Sequence, residues 1–342
     1  MVLWTRGETL IYLFYAGVIT VLYKVFGFTF LNVPWTPVAL IGTAVAFLVG
    51  FQNNSAYGRI WEARMIWGAI VNTSRTWGMK VQDMVTNEHS KNPVSEDVLK
   101  GHKKTLVYRH IAWMTALRYA MRQRKTWETL HKAKTNQEWR NMIHIPEEVS
   151  TLKDNLMMYL SEKERAYVLS KGNKQTALLY LQSKHIRELK EKGLIWEFSF
   201  LELENVLESL FTHQGKSERI KNFPYPRQYA SLGLYLTRVF TILLPFGLIP
   251  EFAEIGETMV DDFFLVGKYF IWIAIPFCGV VSWAFHTMER LARTGENPFE
   301  GGPNDVPIST IARGIEIDLR QMLDEDPSEI PSQFPEEKNV QM

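Results

Sequence analysis

Residues 33–77, VPWTPVALIGTAVAFLVGFQNNSAYGRIWEARMIWGAIVNTSRTW, decide how this chain is read. From Val33 to Phe51 there is no charged residue, and a polar run begins abruptly at Gln52. A bilayer core needs about 20 mostly apolar residues in helical form, so the first half reads as a membrane helix. The second half carries Asn53, Asn54, Tyr57, Arg59, Trp61, Glu62 and Arg64. It reads as a helix leaving the membrane with its polar groups already organised. Thr43, Phe47 and Phe51 recur every fourth residue and therefore line one helix face. Gly42, Ala44, Ala46 and Gly50 supply small residues that let helices approach closely in a bilayer. Such a stripe suits a helix packed around an axis. The same spacing suits a lipid-facing or core stripe.

Three further segments have membrane length: residues 10–30, interrupted by Lys24; 229–250, carrying Arg238; and 263–285, with Lys268 near its start. The lysines stand near the ends and can snorkel. Arg238 lies deeper, where a charge faces protein or water rather than lipid. The first segment is too long for the apolar core of a signal peptide, and no small-residue cleavage motif follows it, so it reads as a retained span.

The chain has 342 residues and a formal net charge of +1, which gives no support to nucleic-acid binding. Its one cysteine, Cys278, rules out a disulfide framework or a cysteine-based zinc site within one chain. The long region between the second and third spans is charged and reads as helical at 56–86, 95–124, 146–170, 174–191 and 195–211, without a strand-period segment. The short connections at 28–35 and 251–262 contain no Lys or Arg. The positive-inside rule therefore places both termini and the central region in the cytoplasm. The expected organisation is 1–55 with two spans, 56–228 helical and cytoplasmic, 229–288 with two spans, 289–323 a cytoplasmic segment, and 324–342 an acidic, disordered tail.

Nothing in the sequence argues for an enzyme or a cofactor. The eight histidines form no HExxH or facial set, and there is no GxSxG, P-loop or GxGxxG. Gly301-Gly302 lacks a preceding strand, which leaves a phosphate cradle unsupported.

Four motifs carry a family resemblance: GFQNNSAYGRIWEARMIWGAIVNTSR at 50–75, SERIKNFPYPRQY at 217–229, LPFGL at 244–248 and GENPFEGGPNDVPI at 295–308. In this order they resemble the bestrophins, particularly the bacterial members. The resemblance implies an all-α membrane protein with four transmembrane helices, a large helical cytoplasmic region and a homopentameric assembly around a central pore. It implies a hydrophobic neck at Thr43, Phe47 and Phe51, with Thr43 departing from the usual aliphatic residue so as to widen and wet one end. Counting back from the SERIKNFPYP motif puts a second, cytosolic aperture at Phe198.

Calcium-activated members carry an acidic clasp after the NPF motif. Here only Asn297 and Asp305 resemble retained ligand positions, with Glu300 in the place of a glycine, so no metal site and no calcium gating are expected. The partners implied are further copies of the chain, a bacterial inner membrane and a permeant ion. Eukaryotic relatives conduct chloride, whereas a bacterial member is described as cation-selective. Aromatic ring edges carry partial positive charge and favour weakly hydrated anions, and a hydrophobic constriction can gate by dewetting. Small monovalent anions such as chloride are the expected cargo. A monovalent cation channel on the same scaffold and a non-channel membrane scaffold or enzyme are the alternatives. Arg59 and Arg64 would raise local anion concentration by their field, or else the exit motif only braces the helix.

Overall fold

The computed structural model describes residues 3–130, 132, 134–336, 340 and 342, and no β-strand forms among them. Part of the expected disordered tail, 337–339 and 341, lies outside the described residues. In chain order the helices are α1 (Arg6–Lys24), α2 (Trp35–Met84), α3 (Glu96–Arg122), α4 (Lys134–Arg140), α5 (Pro146–Val149), α6 (Leu152–Met157), α7 (Glu162–Leu169), α8 (Lys174–Glu191), α9 (Glu197–Asn222), α10 (Arg227–Met259), α11 (Phe264–Tyr269), α12 (Ala274–Gly295) and α13 (Ile308–Gln321). The chain divides into two compact units. One comprises Met1–Arg59, His131–Asn136 and Pro224–Glu296; the other comprises Ile60–Leu130, Gln137–Phe223 and Asn297–Met342.

The first unit holds the apolar helices, with α2 belonging to it as far as Arg59. By length and composition, Thr29–Met84, Arg227–Met259 and Phe264–Gly295 are long and apolar enough to cross a membrane. α1 falls outside that set. It is 19 residues long, with Arg6 and Glu8 in its first turn and Lys24 in its last, and it stops where 10–30 was expected to continue. The chain turns there through Gly27, whose φ of 70° suits a residue without Cβ.

The third apolar segment does not end at Pro250; α10 runs on to Met259 with Pro245 and Pro250 inside it. Pro250 cannot donate to the carbonyl four residues back. That carbonyl, Phe246 O, accepts instead from the Val33 N–H at 3.2 Å. Neighbouring backbone thus satisfies the group that proline frees, as apolar surroundings demand. The fourth segment breaks at a 3-10 turn, Phe270–Ile273. Pro276 then stands in the first turn of α12, where its missing N–H costs least.

The second unit is built on three buried tryptophans, Trp67, Trp77 and Trp113, with Leu106, Ile111 and Leu117. Two of the three indole N–H groups are satisfied: Trp113 Nε1 donates to Gln214 Oε1 at 3.0 Å and Trp77 Nε1 to Leu106 O at 3.4 Å. His110 lies between Trp77 and Trp113, at ring-centroid distances of 6.2 and 5.2 Å.

Two sequence-predicted helices change here for local reasons. Residues 146–170 split into α5, α6 and α7 because Thr151 and Ser161 restart the helix as N-caps, accepting from Asp154 N and Glu164 N. α9 continues past 211 through Gly215, since Leu210, Gln214, Ser217 and Ile220 keep a buried face across the glycine. Beyond α13, Glu325 accepts from Tyr108 Oη at 2.7 Å and from Arg320 Nε at 2.6 Å. This part of the expected tail is anchored.

Candidate functional site

On the first half of α2, buried and exposed positions separate onto opposite sides. Val38, Gly42, Val45, Val49, Gln52 and Ala56 are buried. They are spaced by four and three residues in turn, which is one face of a helix. This face packs closely because Gly42 is small. A Cβ there would stand 2.7 Å from Phe240 Cε2 on α10, well inside the roughly 3.5 Å of an ordinary carbon contact.

Thr43, Phe47 and Phe51 are left on the uncovered side, with Phe47 67% and Phe51 55% exposed. The two rings meet nearly at right angles, with centroids 4.6 Å apart and an interplanar angle of 81°. Thr43 Oγ1 donates to Ala39 O at 3.0 Å. That bond uses the only hydroxyl proton. What Thr43 offers outward is a methyl and acceptor lone pairs, a narrower polarity than a free hydroxyl.

Just past the stripe, polar side chains tie α2 to the end of α12. Gln52 Nε2 donates to Glu296 Oε1 at 3.0 Å. Asn53 Nδ2 donates to Val49 O at 2.9 Å and Met288 O at 3.0 Å. Arg59 Nε donates to Glu296 O at 2.6 Å. Asn54 and Tyr57 are exposed on the same stretch. In the second unit, Trp61 and Arg64 are exposed and Glu62 pairs with Arg219 of α9. Gln52 was not singled out from the sequence. Its signal was there, because it falls on the buried 38-42-45-49 period. Arg238 is exposed on α10 in the single chain.

Phe198 is the second residue of α9 and 62% exposed. The turn before it is closely specified. Gly193 has φ of 73°; its N–H donates to Lys190 O at 2.8 Å and that of Leu194 to Leu189 O at 2.9 Å. This is the double bond of a Schellman helix end. Trp196 occupies the N-cap of α9. Its ring lies 4.7 Å from that of Phe198 at 60°, and 5.6 Å from His89. Neither Trp196 nor His89 stood out in the sequence, since ring contacts across a turn leave no periodic signal.

The polar side chains around the NPF loop are engaged with one another and with nearby backbone N–H groups. Calcium takes about six to eight hard oxygens. Among the described residues no three His, Cys, Asp or Glu side chains are placed to hold a metal. Asp305 Oδ2 is committed to the N–H groups of Gly301 and Gly302 at 2.7 and 2.8 Å. Asn297 donates through Nδ2 to Glu300 Oε1 at 2.6 Å. Glu300 also accepts from Leu130 N at 2.8 Å and Thr129 N at 3.2 Å. Lys221 and Glu128 form a buried ion pair nearby. Burial, then Asp305, pushes the Glu300 pKa up to about 8 against the pull of the Leu130 and Thr129 N–H groups. Burial pushes Asp305 up to about 6 against the Gly302 N–H and Arg122.

An all-helical chain with membrane-length helices, one of which leaves an aromatic stripe uncovered, is the class this fold defines. Residues 6–321 match the family described as Bacterial/Fungal Bestrophin protein, and the chain belongs to the bestrophin family. It is 25% identical over 327 residues, covering 95% of this chain and 88% of the relative, to the voltage-dependent anion channel-forming protein YneE of Escherichia coli K12. A protein named voltage-dependent anion channel-forming protein RSc3414 from Ralstonia nicotianae is 24% identical over 294 residues, 86% of this chain and 79% of the relative. The fold is that of a bacterial bestrophin homologue from Klebsiella pneumoniae, with a TM-score of 0.70, 21% identity, and coverage of 94% of this chain and 99% of that one.

Proposed function

We propose that this chain forms a homopentameric channel for small monovalent anions such as chloride, with Thr43, Phe47 and Phe51 of each subunit facing a central axis as the neck. The observation that carries the reading is the uncovered face of α2. Two phenylalanines stay largely exposed there while the opposite face is packed on α10. An apolar ring at membrane depth needs either lipid or an axis. The relatives' names as anion channel-forming proteins favour the axis. Five copies would make a constriction that gates by dewetting, and the edge-to-face ring pair turns partial positive charge along the stripe.

In this reading α1 joins the three longer segments as a fourth span, both termini and the second unit lie in the cytoplasm, and the chain sits in the inner membrane of a bacterium. Phe198 forms the cytosolic aperture. Gln52, Asn53 and Arg59 brace the neck against α12, and Arg238, exposed in the single chain, faces a neighbouring subunit. The test is a reversal-potential measurement on the purified full-length protein in asymmetric KCl. A shift toward the chloride equilibrium potential supports the reading. A shift toward that of potassium means a cation channel on the same scaffold, and absence of current from a monomeric protein overturns the channel itself.

A further inference from the structure

We propose that Trp196 is a positioning residue for the cytosolic aperture, holding the Phe198 ring from the cap of α9 and held in turn by His89 beyond the end of α2. The proposal rests on the reading of Phe198 as the aperture.

Phe198 is in the first turn of its helix and largely exposed, so little of its ring is fixed by the core. One of its ring contacts is Trp196, at 4.7 Å and 60°. An edge-on aromatic pair of this kind favours the paired rotamer over the others by about 2- to 10-fold. Trp196 is an unusual N-cap. It accepts nothing through its side chain from the helix N-terminus, and the polar residues preferred at that position do so. Its indole is therefore at that position for something other than capping.

The platform under Trp196 is rigid for reasons already in the backbone. The linker leading to it is clamped to the turn after α2. Thr86 N donates to Leu194 O at 2.9 Å, and Ser90 Oγ donates to Lys192 O at 3.2 Å. Gly193 sits so close that a Cβ would meet Ser90 Cα at 3.2 Å. His89 belongs to this same turn, and its ring tilts by 31° against the indole. On the other side, Lys190 Nζ donates to Glu197 Oε1 at 2.8 Å and lies 4.9 Å from the Phe200 ring centroid, joining the end of α8 to the start of α9. A ring at the aperture is thereby referenced to two helix ends rather than left to its own rotamers. In a narrow constriction the rotamer decides what dimension an ion meets.

The experiment is a double-mutant cycle on the full-length channel in planar bilayers, reading the reversal potential in asymmetric KCl, with thermal melting in detergent as a check on folding. Phe198→Ala is expected to change the chloride-to-potassium permeability ratio. Trp196→Ala is expected to change it in the same direction, Trp196→Phe to restore most of it, and Trp196→Ala to add nothing in the Phe198→Ala background. His89→Ala is expected to give a smaller shift of the same sign that also vanishes in that background, and it keeps the test available should Trp196→Ala fail to fold. If Phe198→Ala shifts the ratio while Trp196→Ala and His89→Ala leave it alone, the positioning role is wrong and the aperture stands. If the Trp196 and Phe198 effects add, Trp196 acts independently and the proposal fails. If Phe198→Ala is silent, the aperture reading fails and takes the proposal with it.

Discussion

Replacing Phe47 by alanine separates the three roles a phenylalanine stripe can have, because each predicts a different pair of outcomes. Phe47 is 67% exposed in the chain. Complete burial of a phenylalanine is worth about 1.5–3 kcal/mol, so the covered third contributes roughly 0.5–1 kcal/mol. The perpendicular contact with Phe51 at 4.6 Å adds about 0.5–1.5 kcal/mol. The expected stability loss is therefore about 1–2.5 kcal/mol per subunit, below the roughly 3–5 kcal/mol of a core phenylalanine. A ring facing the axis has a second consequence. Removing it from every subunit relieves the dewetted constriction, and each ~1.4 kcal/mol taken off the barrier raises conductance about tenfold. The assay is single-channel recording in symmetric KCl alongside thermal melting in detergent. Phe47→Ala is expected to melt only slightly earlier than wild type and to conduct several-fold more. A large stability loss with no conducting species would make the stripe a core element. Unchanged conductance with unchanged selectivity would make it lipid-facing, and the neck assignment would fall.

Three further outcomes follow from particular side chains. His110 is fully buried, and burial pushes its pKa from 6.5 down to about 3. The unfolded chain binds that proton below pH 6.5 and the folded one refuses it, so stability is full above 6.5 and falls on acidification, by about 2 kcal/mol at pH 5. His110→Leu is expected to flatten this part of the melting-versus-pH curve, and an unchanged slope refutes the assignment. Gly193→Ala places a Cβ at φ of 73° and 3.2 Å from Ser90 Cα. It is expected to cost at least 1–2 kcal/mol or so in a melting experiment, and wild-type melting would mean the linker is not clamped there. Adding millimolar calcium, or removing it with a chelator, is expected to leave both melting and current unchanged. Stabilisation by calcium would mean that the Asn297–Asp305 loop rearranges into a ligand set.

What was legible in the sequence was whatever has a local or periodic signature. α8 was readable at both ends because Asn173 caps its start, accepting from Thr176 N, and Gly193 closes its finish. The Thr43, Phe47 and Phe51 stripe was readable as a period, and so was the family, from motifs of charged and aromatic residues in fixed order. The ends of the apolar helices were not. Pro250 reads as a stop, yet α10 runs through it, and the Phe246 O it leaves free accepts from the Val33 N–H. The bracket at Phe198 was invisible because His89, Trp196 and Phe198 meet through a turn whose geometry depends on Gly193. The role of Gln52 was hidden for a different reason. A polar residue on a buried period looks like the end of the period until its partner, Glu296, is known.

The hydrogen bond from Thr43 to Ala39 O changes what the threonine means in the stripe. A hydroxyl has one proton to give, and here the helix already holds it. Outward, Thr43 presents only acceptor lone pairs, which attract cations, whereas phenylalanine rings turned edge-on to the axis one and two turns on would attract anions. In the proposed neck the three positions would therefore oppose one another electrostatically, with Thr43 the weak point of an anion filter. Thr43→Val removes the lone pairs and keeps the branching of the side chain. It is expected to shift the reversal potential in asymmetric KCl further toward chloride, with little change in melting because the position is exposed. A shift toward potassium would show that the hydroxyl turns to donate to the permeating anion, breaking its bond to Ala39. The sign of that one shift decides whether Thr43 works with the phenylalanines or against them.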